Sequence, residues 1–235
     1  MAALHRRYSG PPSTRLGRAL IAGLWATTMA LTSQAAVADD GLAGRYRVDD
    51  GPDVASELIL RPNGKFDYFL MAGSLDEQAQ GSWQVDGETL RLMTIPKPVA
   101  AVFSRGPAST TADGKLVLHV TNPAGRGIAS VHFTLGFDTG PPVKGYTQDH
   151  GWSLDERDKR IPRWIELSVP IYKLRSPRFP IDLSTGNEVT FILTPNDLGT
   201  IDFTGMQIDI QPHRLIMHRD GALITFEAIG DSEGK

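Results

Sequence analysis

The chain has 235 residues, with 24 Lys and Arg against 27 Asp and Glu for a formal net charge of −3, and it contains no cysteine. That composition excludes disulfides and a lipidated cysteine, and its acid excess argues against a nucleic-acid partner. Stability must come from an apolar core, which at this size buries roughly 70% of the unfolded surface.

Residues 1–38 combine an acid-free basic start (Arg6, Arg7, Arg15, Arg18), an apolar run from Ala19 to Leu31, and Ala36-Val37-Ala38 ahead of Asp39-Asp40. This is the pattern of a secretory signal peptide with an A-x-A cleavage site, and the apolar run is too short for a permanent membrane helix. The leader holds four of the 24 basic residues and none of the 27 acidic ones, which leaves the remainder at −7. The expectation is a protein with no transmembrane span in a bacterial periplasm, or secreted.

Residues 39–95 read as a β-meander. Strands are expected at 44–48, 55–61, 65–71, 78–85 and 88–94, from alternation of period 2 broken by turn residues. Pro62-Asn63-Gly64 makes a three-residue turn that pairs Leu60 with Phe66 and Leu58 with Tyr68. Asp86-Gly87 is the sequence of a type I′ turn, which sets Trp83 against Leu90 and puts Val85 on the same face. The stretch 96–114, rich in Pro, Ala and Ser, reads as a linker.

From Lys115 the alternation resumes. Leu116, Leu118 and Val120, then Val131, Phe133 and Leu135, flank the turn-rich NPAGRG and suggest a half-buried hairpin. Val120, Gly125, Ile128 and Val131, followed by Gly145, Thr147, Gly151 and Trp152, match V-x-x-x-x-G-x-x-I-x-x-V and G-x-T-x-x-x-G-aromatic. In these positions the stretch resembles the carboxypeptidase-regulatory-like family of transthyretin-like domains, with Gly127 where Pro is usual and Ser130 where Gly is usual. The resemblance implies a Greek-key sandwich over 115–198 that serves as a scaffold or binding module, without cofactor or catalysis.

After Asn196-Asp197-Leu198-Gly199, strands are expected at 200–210, 213–218 and 222–229, ahead of a tail at 231–235. Asp220-Gly221 pairs Met217 with Ile224, Leu215 with Phe226, and Arg214 with Glu227. Five strands before the sandwich and three after it, within 199–230, are enough to close a small barrel. The fold expected is therefore all-β, a lipocalin-like meander or barrel with an inserted transthyretin-like sandwich, the alternative being two β domains in tandem with a short C-terminal extension.

Candidate functional residues fall into three groups. Leu58, Tyr68, Trp83, Leu90, Met217 and Phe226 should face the barrel interior, where Tyr68 and Trp83 would line a site for a small apolar ligand. The segment 157–178 carries a local charge of +5, and its Arg160, Arg163, Trp164 and Tyr172 offer a cation and aromatic surface for an anionic glycan, a lipid head group or another envelope protein. The loop from Tyr146 to Trp152 puts Asp149 beside His150, the pairing a general base needs in a hydrolase. No G-x-S-x-G elbow or H-E-x-x-H accompanies it. His119 and His132 are expected on the outer face of the hairpin, too far apart to share a metal. An exported binding or interaction module is the reading these residues favour.

Overall fold

Short turns between alternating strands pair neighbours in chain order, and the N-terminal part of the computed structural model follows that rule. It describes residues 41–48, 53–112 and 114–230, so the expected leader and tail lie outside the described residues. Strands β1 (Gly44–Arg47), β2 (Val54–Leu60), β3 (Lys65–Ala72), β4 (Leu75–Asp86) and β5 (Thr89–Thr94) form an antiparallel meander. The chain then departs to build β6 (Val102–Ser109), β7 (Val117–Thr121), β8 (His132–Phe137), β9 (Val143–Tyr146), β10 (Trp152–Ser153), β11 (Pro162–Val169), β12 (Leu174–Arg175), β13 (Phe179–Pro180) and β14 (Glu188–Thr194). It returns as β15 (Ile208–Gln211), β16 (Arg214–Arg219) and β17 (Ala222–Ile229).

Because β15 pairs with β5 and β17 with β1, the flanking strands close an eight-stranded antiparallel barrel of lipocalin-like form. The departing strands form two further sheets inserted between β5 and β15. Closure removes both sheet edges, so every barrel strand has two partners. The registers expected at two hairpins hold: Leu58 pairs Tyr68 and Leu60 pairs Phe66, while Leu215 pairs Phe226 and Arg214 pairs Glu227. Asp220 and Gly221 both take positive φ, as a type I′ turn requires.

The third hairpin differs from expectation. Asp86 pairs Thr89, so Gly87-Glu88 form the loop and Trp83 faces Leu92 rather than Leu90. Only Gly87 there has positive φ, the mark of a type II′ turn. The slip moves the pairing by two residues, so Trp83, Leu90 and Leu92 still share the buried face.

The barrel interior is filled. Leu58, Tyr68, Trp83, Leu90, Met217 and Phe226 are all buried in one cluster, as their parity predicts. Phe203 joins them from the connection after the insert, where a strand over 200–210 was expected. Only Ile208–Gln211 of that stretch is a strand. The connection is held by β4 and β5: Gln78 N donates to Gly199 O and Ile201 N to Gln78 O, both at 2.9 Å. Thr94 Oγ1 donates to Ile201 O at 2.8 Å and accepts from Phe203 N at 3.0 Å. So anchored, the Phe203 ring meets Phe66 and Tyr68 edge to face, with centroids 5.6 and 5.0 Å apart.

The inserted sheets, β10-β7-β14-β6 and β12-β11-β8-β9 with β13 beside β11, enclose a second core. Here two expectations fail. Strands β7 and β8 do not pair; each lies in a different sheet, and the NPAGRG turn bridges the two. Leu118, Val120, Phe133 and Leu135 point into the shared core from opposite sides. His119 and His132 accordingly stand on separate sheets. The second failure is the linker, because 96–114 contains β6, an edge strand paired with β14. Its Pro107 is tolerated because an edge strand has one free side.

Candidate functional site

Parity along the barrel strands puts three polar residues where apolar ones would be expected. Ser56 pairs with Leu70 and Leu70 with Glu77, one row beyond Leu58, Tyr68 and Ala79, so this row faces the barrel interior. On the far side Arg219 follows Leu215 and Met217 on the inward face of β16. Glu77 and Arg219 meet at this end of the barrel. Two Arg219 nitrogens donate to the two Glu77 oxygens at 2.6 Å each, with the side chains 18% and 6% exposed.

Tyr68 Oη donates to Glu77 Oε2 at 3.3 Å. Burial pushes the Tyr68 phenol well above its ordinary range, and the Glu77 charge adds to the effect. Hydrogen bonds to Glu77 raise the Arg219 guanidinium above its ordinary value. The tyrosine therefore stays a neutral donor. Ser56 Oγ, by contrast, is buried without a hydrogen-bond partner.

Above this row lies a cleft of about 660 Å³. Leu70, Leu75 and Ile224 wall it from the barrel, Leu198 and Ile201 from the returning connection, and Tyr172 from the inserted sheets. A 3-10 turn, Pro170–Tyr172, presents Tyr172, and it ends at Lys173 with φ 53. Lys173 forms an ion pair with Asp220 of the barrel at the rim. The cleft is walled by aliphatic side chains and carries Glu77, Asp197, Asp202 and Asp220 against Lys173 and Arg219, and it lies in the size range of small-molecule pockets.

The residues expected to bind ligand are dispersed. Tyr172 lines the cleft and Tyr68 supports its floor through Glu77. Trp83 is buried deep in the barrel, where its indole N–H donates to Arg61 O at 2.9 Å. Trp164 lies on the outer face of β11, flat over Gly136, where a Cβ would come within 2.1 Å of the indole. Arg178 stacks on it at 4.1 Å. Arg160 stacks on Phe137 and is held by Asp158, and it lines a separate cleft of about 480 Å³ at the edge of the inserted sheets. Arg163 is exposed.

The basic segment is largely neutralised by its surroundings. Arg157 pairs with Asp155, Arg160 with Asp158, Lys173 with Asp220, and Arg175 and Arg178 with Glu166. Lys159 and Arg163 are left without an ion pair among the described residues. No continuous cationic surface joins Arg160, Arg163, Trp164 and Tyr172.

In the loop, Asp149 Oδ1 accepts from His150 Nδ1 at 2.9 Å, with the two side chains 83% and 82% exposed. That contact holds the Asp149 carboxyl below its ordinary value. A second cluster escaped the sequence analysis: Glu188 accepts from Ser109 Oγ and contacts His119 Nε2 at 2.9 Å. Bonding to Ser109 foremost, then to His119, lowers the Glu188 carboxyl. Here the serine bonds to the carboxylate and not to the imidazole, so the cluster lacks the serine–imidazole–carboxylate order of a triad. No group of three or more metal-ligating side chains occurs among the described residues.

Glu77, Arg219 and Ser56 were also missed, although a signal was present. Each occupies an inward position, in Leu75-x-Glu77-x-Ala79, Leu215-x-Met217-x-Arg219 and Ser56-x-Leu58-x-Leu60. Charged or polar residues at buried parity mark a constructed feature. What fold and site define is an all-β barrel protein with a cleft of aliphatic walls and net acidic charge where barrel and insert meet. No family model matches the chain, and neither does any curated protein or solved structure.

Proposed function

We propose that the chain is an exported, non-catalytic envelope protein, periplasmic or secreted from a bacterium, that acts as a binding module through the cleft at the barrel end. One observation carries the reading: the barrel is filled by its own side chains, yet at this end a cleft of about 660 Å³ with aliphatic walls stands over a buried charged pair. The carrier reading thereby moves from the barrel lumen, which Phe203 occupies, to its mouth. The leader pattern of residues 1–38 supports export.

For the inserted sheets we propose a carboxypeptidase-regulatory-like domain, and the residues of the resemblance have physical work that supports it. Thr147 is fully buried, with its hydroxyl donating to Ile128 O at 2.8 Å. Gly151 has φ 96, and a Cβ there would come within 2.7 Å of the His119 ring. Ser130, where the family has glycine, takes φ 61.

Native mass spectrometry of the periplasmic protein, before and after denaturation, tests the binding role. A small mass that disappears on denaturation is expected, with Ile224→Arg abolishing it and Leu183→Arg, outside the cleft lining, retaining it. Ligand-free protein whose uptake of the uncharged apolar probe N-phenyl-1-naphthylamine is unaffected by Ile224→Arg would refute the reading.

A further inference from the structure

We propose a second binding site, on the outer face of the barrel, for a sugar ring without acidic groups, either a free sugar or one unit of a glycan. It occupies a groove of about 410 Å³ where the chain leaves the barrel for the insert and comes back. The site does not rest on the ligand at the barrel end, although Pro98, Asp197 and Thr200 border both.

Register builds the floor. On the outward face of the sheet, Asp67 lies opposite Gln80 and Phe69 opposite Gln78. Ile95 continues β5 beside Gln80, its N–H donating to Gln80 O at 2.9 Å. Beyond that point β5 has left the sheet, and the returning connection takes its place, with Thr200 bridged to Gln78. Two rows of three residues result: Asp67, Gln80 and Ile95, then Phe69, Gln78 and Thr200. From strand geometry they cover about 7 Å by about 10 Å, the footprint of one pyranose ring with its substituents. Pro96 and Pro98 of the departing chain and Asp197 of the returning one line the groove beside this floor.

Chemistry selects the ligand. Phe69 is 37% exposed, and the electron-rich face of an open aromatic ring attracts the C–H groups of a sugar. Beside it the Gln78 and Gln80 side chains make no hydrogen bond among the described residues, and an amide both donates and accepts. Asp67 commits Oδ2 to Arg61, at 2.6 and 2.9 Å, and Asp197 commits Oδ2 to Val99 N at 2.8 Å. Each keeps Oδ1 to accept from a hydroxyl. Hydroxyls donate and accept, so a sugar satisfies amides and carboxylates together. A lipid tail would bury the amides unbonded, and a simple cation would leave their N–H groups idle. An anion would meet two carboxylates in a lining with no basic residue, where only Arg61 stands behind Asp67.

Titration of the isotope-labelled periplasmic protein with methyl glucoside, methyl galactoside, methyl mannoside, N-acetylglucosamine and maltotriose, followed by NMR at the Gln78 and Gln80 side-chain amides, tests the proposal. At least one sugar should shift both amides saturably, and glucuronate should bind at least about tenfold more weakly than the best of them. Phe69→Ala and the double variant Gln78→Ala/Gln80→Ala, read at the Thr200 backbone amide, should each weaken binding about tenfold. The glutamine pair is exposed, so that variant should keep its melting temperature and carry the test if Phe69→Ala misfolds. Ile224→Arg, which blocks the cleft at the barrel end, should leave sugar binding unchanged, so the two sites fail separately. Within a positive result, maltotriose binding more tightly than methyl glucoside identifies a glycan chain as the source, and equal or weaker binding a free sugar. No saturable shift from any of the five at about 50 mM, far above a millimolar dissociation constant, overturns the proposal. So does binding unchanged in the glutamine variant, glucuronate or ethylamine binding as tightly as the best sugar, or loss of binding in Ile224→Arg.

Discussion

Ser130 sits at φ 61, a backbone conformation that costs an L-residue about 1–2 kcal/mol. It is held there from both sides: its own N–H donates to Thr147 O at 2.8 Å, and Val131 N donates to Thr147 Oγ1 at 3.3 Å. The chain must turn sharply between Ile128, which accepts the Thr147 hydroxyl, and Val131, which is buried in the core. Glycine removes the steric cost but loses about 0.5–1 kcal/mol more entropy on folding. Ser130→Gly should therefore stabilise the protein by about 0.5–1 kcal/mol and raise the melting temperature by about 1–3 °C, measured by circular dichroism. A lower melting temperature would mean that the serine side chain contributes a contact that outweighs the strain.

Among the elements, the connection after β14 does more than link sheets. Its Phe203 is fully buried against Phe66 and Tyr68, so Phe203→Ala should cost about 3–5 kcal/mol. Urea unfolding would register this as a lower midpoint with an unchanged slope. A loss under about 1 kcal/mol would contradict its role as the filling of the barrel. Nothing in the sequence marked Phe203, because the residues around it lack strand alternation and its partners are more than a hundred positions away. The β2–β3 and β16–β17 hairpins were legible, since turn chemistry and alternation specify the same pairing there. At Asp86-Gly87-Glu88 two turns satisfy the same alternation, so faces were fixed and register was not. In β7 and β8, alternation reports which side is buried and is silent about the partner, so strands of two facing sheets carry the pattern of a hairpin. The Glu77 and Arg219 pairing depends on barrel closure, which joins residues 142 positions apart. Inward parity could flag each residue, but only topology brings them together.

For the molecule as a whole, the two cores are separate populations. Every buried residue of the barrel core lies at or before Leu92 or at or after Phe203, and every one of the inserted core lies from Ala101 to Leu193. The neck between them is narrow. Val99 N donates to Asp197 Oδ2 at 2.8 Å, Asp197 N returns a bond to Val99 O at 3.1 Å, and Asn196 Nδ2 reaches Ala100 O at 2.8 Å. Chain ends held this closely can be joined by a short loop at little entropic cost. Replacing residues 100–196 with a Gly-Ser loop should leave a barrel of about a hundred residues, within the usual range for an independent domain. It should unfold in one cooperative transition and keep Trp83 fluorescence buried. It should also lose cleft binding, because Tyr172 and the Lys173 to Asp220 ion pair depart with the insert. A truncated chain with no cooperative transition would mean that the barrel depends on the insert for its fold. A truncated barrel that binds as well as the full chain would place the site inside the barrel end alone, with the insert serving some other purpose.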